Sequence, residues 1–185
     1  MIYSKGVLTM ELIEAIAMRK STRSYKSEQI SEESLNTIIN AGCAAPIGMG
    51  DYNSINITVI QNPDLLDRIS ETAAKAIGNP KAGIIYNAPT LVIISGTPTE
   101  RLPNIEIANA SCIIENMALA ATDAGIGNGY VLSPLHAFNV DKELLKVLNL
   151  PEGFIPVASI ALGYPTEPIT QERELRQTIK VNIIK

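Results

Sequence analysis

The stretch that most constrains this chain runs from Asn104 to Ala124, NIEIANASCIIENMALAATDA. At helical spacing it is apolar almost all round: Ile105, Ile107, Ala108, Ala110, Ile113, Ile114, Met117, Ala118, Leu119 and Ala121. A helix with so little polar surface belongs at the centre of a domain or in a subunit interface. Its alanines let a neighbouring backbone come close. The rest of the chain must be arranged around it.

What surrounds it is mixed. INITVI and TLVIIS read as strands, as does IPVASIALGYP, stopped by Gly163 and Pro165. GIGNGYVLSPL returns through a glycine turn into a further strand. ELIEAIAMRK has Leu12, Ile13, Ile16 and Ala17 on one helical face. Ser31 is placed to N-cap SEESLNTIINAG, whose stripe is Leu35, Ile38 and Ile39. NPDLLDRISETAAKAIG carries Pro63 near its start and Gly78 at its end. VDKELLKVLNL is a short amphipathic helix, and the tail ends in an apolar, strand-like run. AAPIGMGDYNS is a loop. Strands and helices mix without strict βαβ alternation, which predicts an α+β fold with a central sheet and helices on both sides. Repeats and long linkers are absent, so residues 1–185 read as one domain.

Composition narrows the function classes. With 185 residues and 46% apolar side chains, the chain can bury a sizeable core. No apolar run approaches the ~20 residues of a membrane span, and MIYSKGVLTM lacks a secretory h-region; the expected location is cytoplasmic. The net charge of −4 argues against a nucleic-acid binder. Cys43 and Cys112 have no metal-type spacing and are expected to be buried, reduced thiols. His136 is the single histidine, so a His-rich zinc site is excluded, and no GxSxG accompanies it. It is the one imidazole on offer as a proton donor. An enzyme with this inventory relies on a bound organic cofactor.

Against this acidic background, RKSTRSYK at residues 19–26 stands out. One reading is a solvated helix end, where the dipole favours cations. The other is a phosphate cradle. Arginine offers bidentate donors and serine a short hydroxyl. In an extended segment Arg19, Ser21 and Arg23 point to one side.

Four stretches in order resemble the FMN-dependent nitroreductase family. AIAMRKSTRSY is similar to its N-terminal helix and Arg-x-Ser-x-Arg/Lys-aromatic run. IINAGCAAPIGMG is similar to its helix and Ala-Pro loop, IANASCIIENMALAATDAGIGNGYV to its long central helix ending in Gly-Leu-Gly, and VASIALGYPTEP to its last strand and Gly-Tyr-Pro turn. The match spans about residues 11–180. It implies a central mixed or antiparallel sheet flanked by helices, in an intertwined homodimer with an FMN site at each subunit interface. Arg19 and Ser21 match phosphate-binding positions, with Lys20 beside them, and Arg23 matches the residue at the pyrimidine edge of the flavin. Arg173 matches the C-terminal basic residue that returns to the phosphate, with Arg176 as a second candidate. Pro46, Ile47, Gly48 and Asn53 would come from the partner's loop. Lys81, Leu132 and Ser133 fall near family contacts to the flavin. The implied activity is NAD(P)H-dependent reduction of nitroaromatics, quinones or flavins by a ping-pong mechanism, with the hydride carried by flavin N5 and no residue assigned as acid or base.

The chain departs from the family at IGMGDYNSI, where the usual Ser, Asn and Trp are missing and one residue is inserted. That bears on the substrate pocket more than on the flavin. GIGNG follows a helix instead of a strand and is not GxGxxG, so it reads as a helix-ending turn and not a dinucleotide fingerprint. A flavin store or sensor without turnover, and a cofactor-free interaction protein, remain the competing readings.

Overall fold

The computed structural model describes residues 10–170 and 172–185. Its elements, in chain order, are α1 (Leu12–Met18), α2 (Glu32–Cys43), β1 (Ile55–Ile60), α3 (Pro63–Ala76), β2 (Thr90–Gly96), α4 (Ile105–Asp123), β3 (Gly127–Tyr130), α5 (Leu135–Val140), α6 (Lys142–Val147) and β4 (Ile155–Gly163). The four strands form one sheet in the order β1-β2-β4-β3, antiparallel throughout.

The sheet is covered on both faces, as expected, and the alternation along β2 shows how. Val92 and Ile94 pack on the side of α2 and α4, with Ile38, Ile113, Ile114 and Met117. Leu91 and Ile93 face the other way, toward Leu66, Ile69, Phe138 and Leu144 of α3, α5 and α6. Every residue of β2 is buried, which is why its sequence is an unbroken apolar run and not an alternation. Burying one such Ile or Leu side chain contributes about 1.5–3 kcal/mol.

Local signals set the helix ends. Ser31 caps α2 through its hydroxyl, which accepts from the Ser34 N–H at 3.1 Å. Asn62 caps α3 by accepting from Leu65 N–H at 2.9 Å, with Pro63 in the first turn. Asp141 caps α6, accepting from Glu143 and Leu144 N–H at 2.9 and 3.1 Å. At the other end of α4, Gly125 takes φ +69, the left-handed geometry that stops a helix and turns the chain into β3.

Four expectations need correction. Leu12 and Ile13 are 65% and 62% exposed, because α1 spans only seven residues and rests on Ala15, Ala17 and Met18. Cys43 and Cys112 are free thiols, but both are exposed. Cys112 lies on the face of α4 that this protomer leaves uncovered, next to Ala108, also exposed. The described tail residues 172–185 form no strand and are exposed. A strand needs a ladder partner, and none of the four strands pairs with these residues. Finally, the strand expected in GIGNGYVLSPL stops at Tyr130, and α5 (Leu135–Val140) is a helix not expected from the sequence.

Candidate functional site

The outer edge of β3 is covered by residues 21–25. Ser21 bridges Asn128 in parallel, and Thr22 N–H donates to Asn128 O at 2.8 Å. Further along, Tyr25 bridges Pro165, Lys26 N–H donates to Tyr164 O at 2.8 Å, and Thr166 N–H donates to Ser24 O at 3.2 Å. The basic stretch is therefore threaded between β3 and the turn after β4, which satisfies an edge that would otherwise stay open.

Gly127 makes this threading possible. A Cβ there would stand 2.8 Å from Thr22 Oγ1, 2.9 Å from Thr22 Cγ2 and 3.1 Å from Gly163 O. The glycines of GIGNG thus have two tasks: Gly125 turns the helix end, and Gly127 gives the segment room. Asn128 is fully buried and holds the corner by donating to Ala118 O at 3.2 Å and Thr122 Oγ1 at 3.0 Å. Tyr25 packs against Ala88 and Ala161. Burial pushes its phenol above the ordinary value.

The result is an open groove of about 470 Å3 between residues 20–24 and the turn at Pro165–Glu167. Lys20, Ser21 and Arg23 are exposed in or beside it, while Thr22 between them is buried. Arg19 sits just before, at the C-cap of α1, and its side chain is 22% exposed. Its one carboxylate neighbour, Glu115, is 4.0 Å away and largely solvated, a pair of little energetic weight. Among the described residues neither Lys20 nor Arg23 has an ion-pair partner.

The C-terminal segment comes back to the same corner. Arg173 N–H donates to Ala17 O at 2.9 Å and its guanidinium to Ile16 O at 3.1 Å, capping the last carbonyls of α1 next to Arg19. Arg176 does not join them; it faces Glu174 at 3.9 Å.

The remaining expected residues lie elsewhere on the protomer. Pro46, Ile47, Gly48 and Asn53 belong to the loop between α2 and β1, which contains the 3-10 turns Gly48–Gly50 and Tyr52–Ser54. Gly48 N–H donates to Asn109 Oδ1 at 2.9 Å, fixing this loop to the N-terminal end of α4. Arg19 instead lies beside Glu115, and Asn128 holds Ala118, so the cationic corner sits along the C-terminal half of α4. Asn109 and Ala118 are about 13 Å apart along the axis, at roughly 1.5 Å per residue. Leu132 and Ser133 follow β3, with Leu132 54% exposed. Lys81 is exposed in the loop after α3, where its N–H meets Asn79 Oδ1 at 3.3 Å. His136 is exposed on α5. Thr22, Asn128 and Thr166 were not singled out from the sequence. Their signal was only the GNG spacing, which reads as a turn until the partner strand is known.

Comparisons with known proteins agree with this architecture. A solved nitroreductase with bound FMN from Bacteroides fragilis is 31% identical, superposes with a TM-score of 0.78, and the match covers 96% of this chain and 100% of that one. A nitroreductase with bound FMN from Desulfitobacterium hafniense gives a TM-score of 0.81 at 26% identity, with the same coverage. An FMN reductase [NAD(P)H] from Bacillus subtilis is 25% identical over 186 aligned positions, 90% of this chain and 71% of its own length. The family model described as the Nitroreductase family matches residues 16–164, from the last turn of α1 through β4 and up to the residue before the Pro165 turn. The chain belongs to the Nitroreductase family.

Proposed function

We propose that the protein is an NAD(P)H-dependent FMN oxidoreductase working as a cytoplasmic homodimer. The observation that carries this reading is the cationic groove: Lys20, Ser21 and Arg23 line it opposite the Pro165 turn, Arg19 stands just before them at the C-cap of α1, and Lys20 and Arg23 are unpaired among the described residues. The donor set fits a flavin phosphate. Arg19 and Lys20 supply positive charge, Ser21 supplies a hydroxyl, and the groove is of the size small-molecule sites have. Arg173, held at the C-terminus of α1, adds charge to the same corner. Glu167 on the far wall opposes the charge and favours seating the phosphate toward the Arg19–Ser21 side.

Bound there, FMN would supply the two-electron chemistry, taking a hydride from NAD(P)H and reducing a nitroaromatic, quinone or flavin acceptor in a ping-pong cycle. The chain's own residues bind and tune. Arg23, exposed on the groove wall, is the cation for the pyrimidine edge, and it stabilises negative charge there more than it stabilises a neutral ring. Leu132, exposed next to Ser133, offers an apolar surface for a flat ring, and Lys81, exposed in the loop after α3, is a further cation for it.

The homodimer reading rests on uncovered apolar surface. Ile107 on α4, Leu12 and Ile13 on α1, and Leu175, Ile179, Val181, Ile183 and Ile184 of the tail are all exposed. It also accounts for the Pro46–Asn53 loop, which is displaced along α4 from its own cationic corner and in a homodimer would contribute to the partner's. Two free thiols fit a reducing compartment. Light scattering should give twice the 19.9 kDa chain mass; a monodisperse monomer with flavin bound would remove the shared-site reading.

The deciding experiment is an absorbance spectrum of the purified protein followed by anaerobic titration with NADH and NADPH. A flavin spectrum that bleaches with either nicotinamide supports the reading. A bound flavin that neither reduces would point to a store or sensor. A colourless protein that does not take up added FMN would refute flavin binding.

A further inference from the structure

The open face of α4 carries a hydrogen-bonded pair that the cationic groove does not use. Tyr130, the last residue of β3, is 43% exposed, and its hydroxyl lies 3.2 Å from Ser111 Oγ. Ser111 has one hydroxyl proton and gives it to Ile107 O at 2.9 Å, so the Tyr130 phenol is the donor of the pair. The chain of bonds ends on that backbone carbonyl. It fixes where the phenol stands and leaves much of the side chain exposed.

Its place on α4 puts it beside the cationic corner. Ser111 and Glu115 are one helical turn apart on the same face, about 6 Å along the axis at roughly 1.5 Å per residue. Glu115 is the residue next to Arg19, at 4.0 Å. On the strand, Tyr130 stands two residues after Asn128, whose carbonyl holds Thr22 N–H between Ser21 and Arg23. Leu132 follows at 54% exposed, and Ile107, one turn before Ser111, is 45% exposed. From Arg19 toward the N-terminal half of α4, charge therefore gives way to an aromatic ring and apolar side chains.

An occupant must match that order: an anionic end at Arg19–Ser21, a short spacer, and a flat apolar part. A free anion would use the corner and leave Tyr130 and Leu132 uncovered. A second copy of the chain could cover the apolar part and would leave the cations without an anion. FMN has the three parts in this order, as phosphate, ribityl chain and ring system. Tyrosine suits the ring end, because its aromatic face stacks on a flat π-system while its hydroxyl is satisfied at the rim.

We propose that Tyr130 is a ring-contact residue of the flavin site, with Ser111 holding it in place. The assignment rests on the FMN reading and adds the direction of the cofactor: phosphate beside the C-terminal half of α4, ring toward its N-terminal half. Arg23 and Tyr130 then act in opposite senses on one ring. The cation favours the reduced, negatively charged flavin. The electron-rich phenol face favours the oxidised ring, which is electron-poor.

The test uses the purified full-length protein loaded with FMN, with protein in excess so that no free flavin contributes. A phenol touching an excited flavin quenches its fluorescence by electron transfer. The chain has no tryptophan, and Tyr52 and Tyr130 are the exposed tyrosines among the described residues. Bound FMN should therefore be dim. Tyr130→Phe, which removes one hydroxyl and keeps the ring, should brighten it severalfold while the Kd for FMN stays within about twofold. Tyr130→Leu also removes the stacking. FMN and riboflavin should then both bind about threefold to tenfold more weakly, unlike the loss of a phosphate contact, and the midpoint potential of the bound flavin should rise. Wild-type bound FMN as bright as free flavin, unchanged quenching in Tyr130→Phe, or recovery in Tyr52→Phe and not in Tyr130→Phe would overturn the assignment. A protein that takes up no FMN would sink the flavin reading and this assignment together, whereas a bound flavin whose quenching Tyr130→Phe leaves unmoved would sink the assignment alone.

Discussion

Replacing Gly127 by Ala tests the link between the sheet edge and the cationic groove. The new Cβ would stand 2.8 Å from Thr22 Oγ1, 2.9 Å from Thr22 Cγ2 and 3.1 Å from Gly163 O. Thr22 is β-branched, 8% exposed and held by its own N–H on Asn128 O, so it cannot rotate away freely. The segment must move out instead. Overpacking of this kind costs about 1–3 kcal/mol. Removing a glycine from the unfolded chain recovers about 0.4–1 kcal/mol. The net loss is roughly 1–2 kcal/mol, or about 2–8 °C in Tm for a chain of this length, compared at one protein concentration because any dimer couples to stability. Ser21 and Arg23 flank Thr22, so their outward shift should weaken FMN by roughly threefold to tenfold, part of one charge-assisted contact. Both quantities are accessible, by calorimetry and by quenching of flavin fluorescence. Thr22→Ala removes both clashing atoms, so in the Gly127→Ala background it should recover most of the loss relative to the sum of the single changes. A Gly127→Ala protein with unchanged Tm, or a double variant with no recovery, would mean that the Thr22–Gly127 contact does not set the position of the segment.

Three other changes have clear expectations. Arg19→Ala should raise the Kd for FMN about tenfold to a hundredfold while affecting riboflavin little, since a charge-assisted contact to a phosphate is worth about 1.5–3 kcal/mol; equal losses would take Arg19 away from the phosphate. In Arg23→Ala, oxidised FMN should bind within roughly tenfold of wild type, but its midpoint potential should fall by about 20–60 mV, the equivalent of 1–3 kcal/mol over two electrons. An unchanged potential with flavin fully bound would remove Arg23 from the ring. Arg68 Nη2, 2.8 Å from Asp141 Oδ2, holds that carboxyl below the usual carboxylate value, helped by the cap to α6. Because the folded value is the lower one, the stabilisation is complete above the unfolded value of about 3.9 and is lost as pH falls through the folded value. Asp141→Ala should therefore melt below wild type at neutral pH, with the gap closing in strong acid; a gap that persists there would assign the loss to packing.

The sequence by itself determined the elements whose signal is local. The apolar run of α4, the Ser31 and Asn62 caps, the strand at residues 90–96 and the helix stop at Gly125 all follow from residues within a turn or two of each other. So did the chemistry of RKSTRSYK, since donor type is a property of side chains. Tertiary structure decided what those residues meet. Thr22 lies against Asn128, and Tyr25 against Pro165, across separations of more than a hundred residues, and no local pattern encodes such a pairing. The same holds for exposure. Leu12, Ile13 and Cys112 have the composition of core residues, yet lie outside it, because a short helix and one sheet cannot cover every apolar side chain. Glu106 is the reverse case: an acidic residue in a first helical turn reads as an ordinary solvated end, and only the approach of β2 at Gly96 and of the Gly48–Ser54 loop closes it off from water. Burial is a sum over all neighbours, and most of those neighbours are distant in the chain.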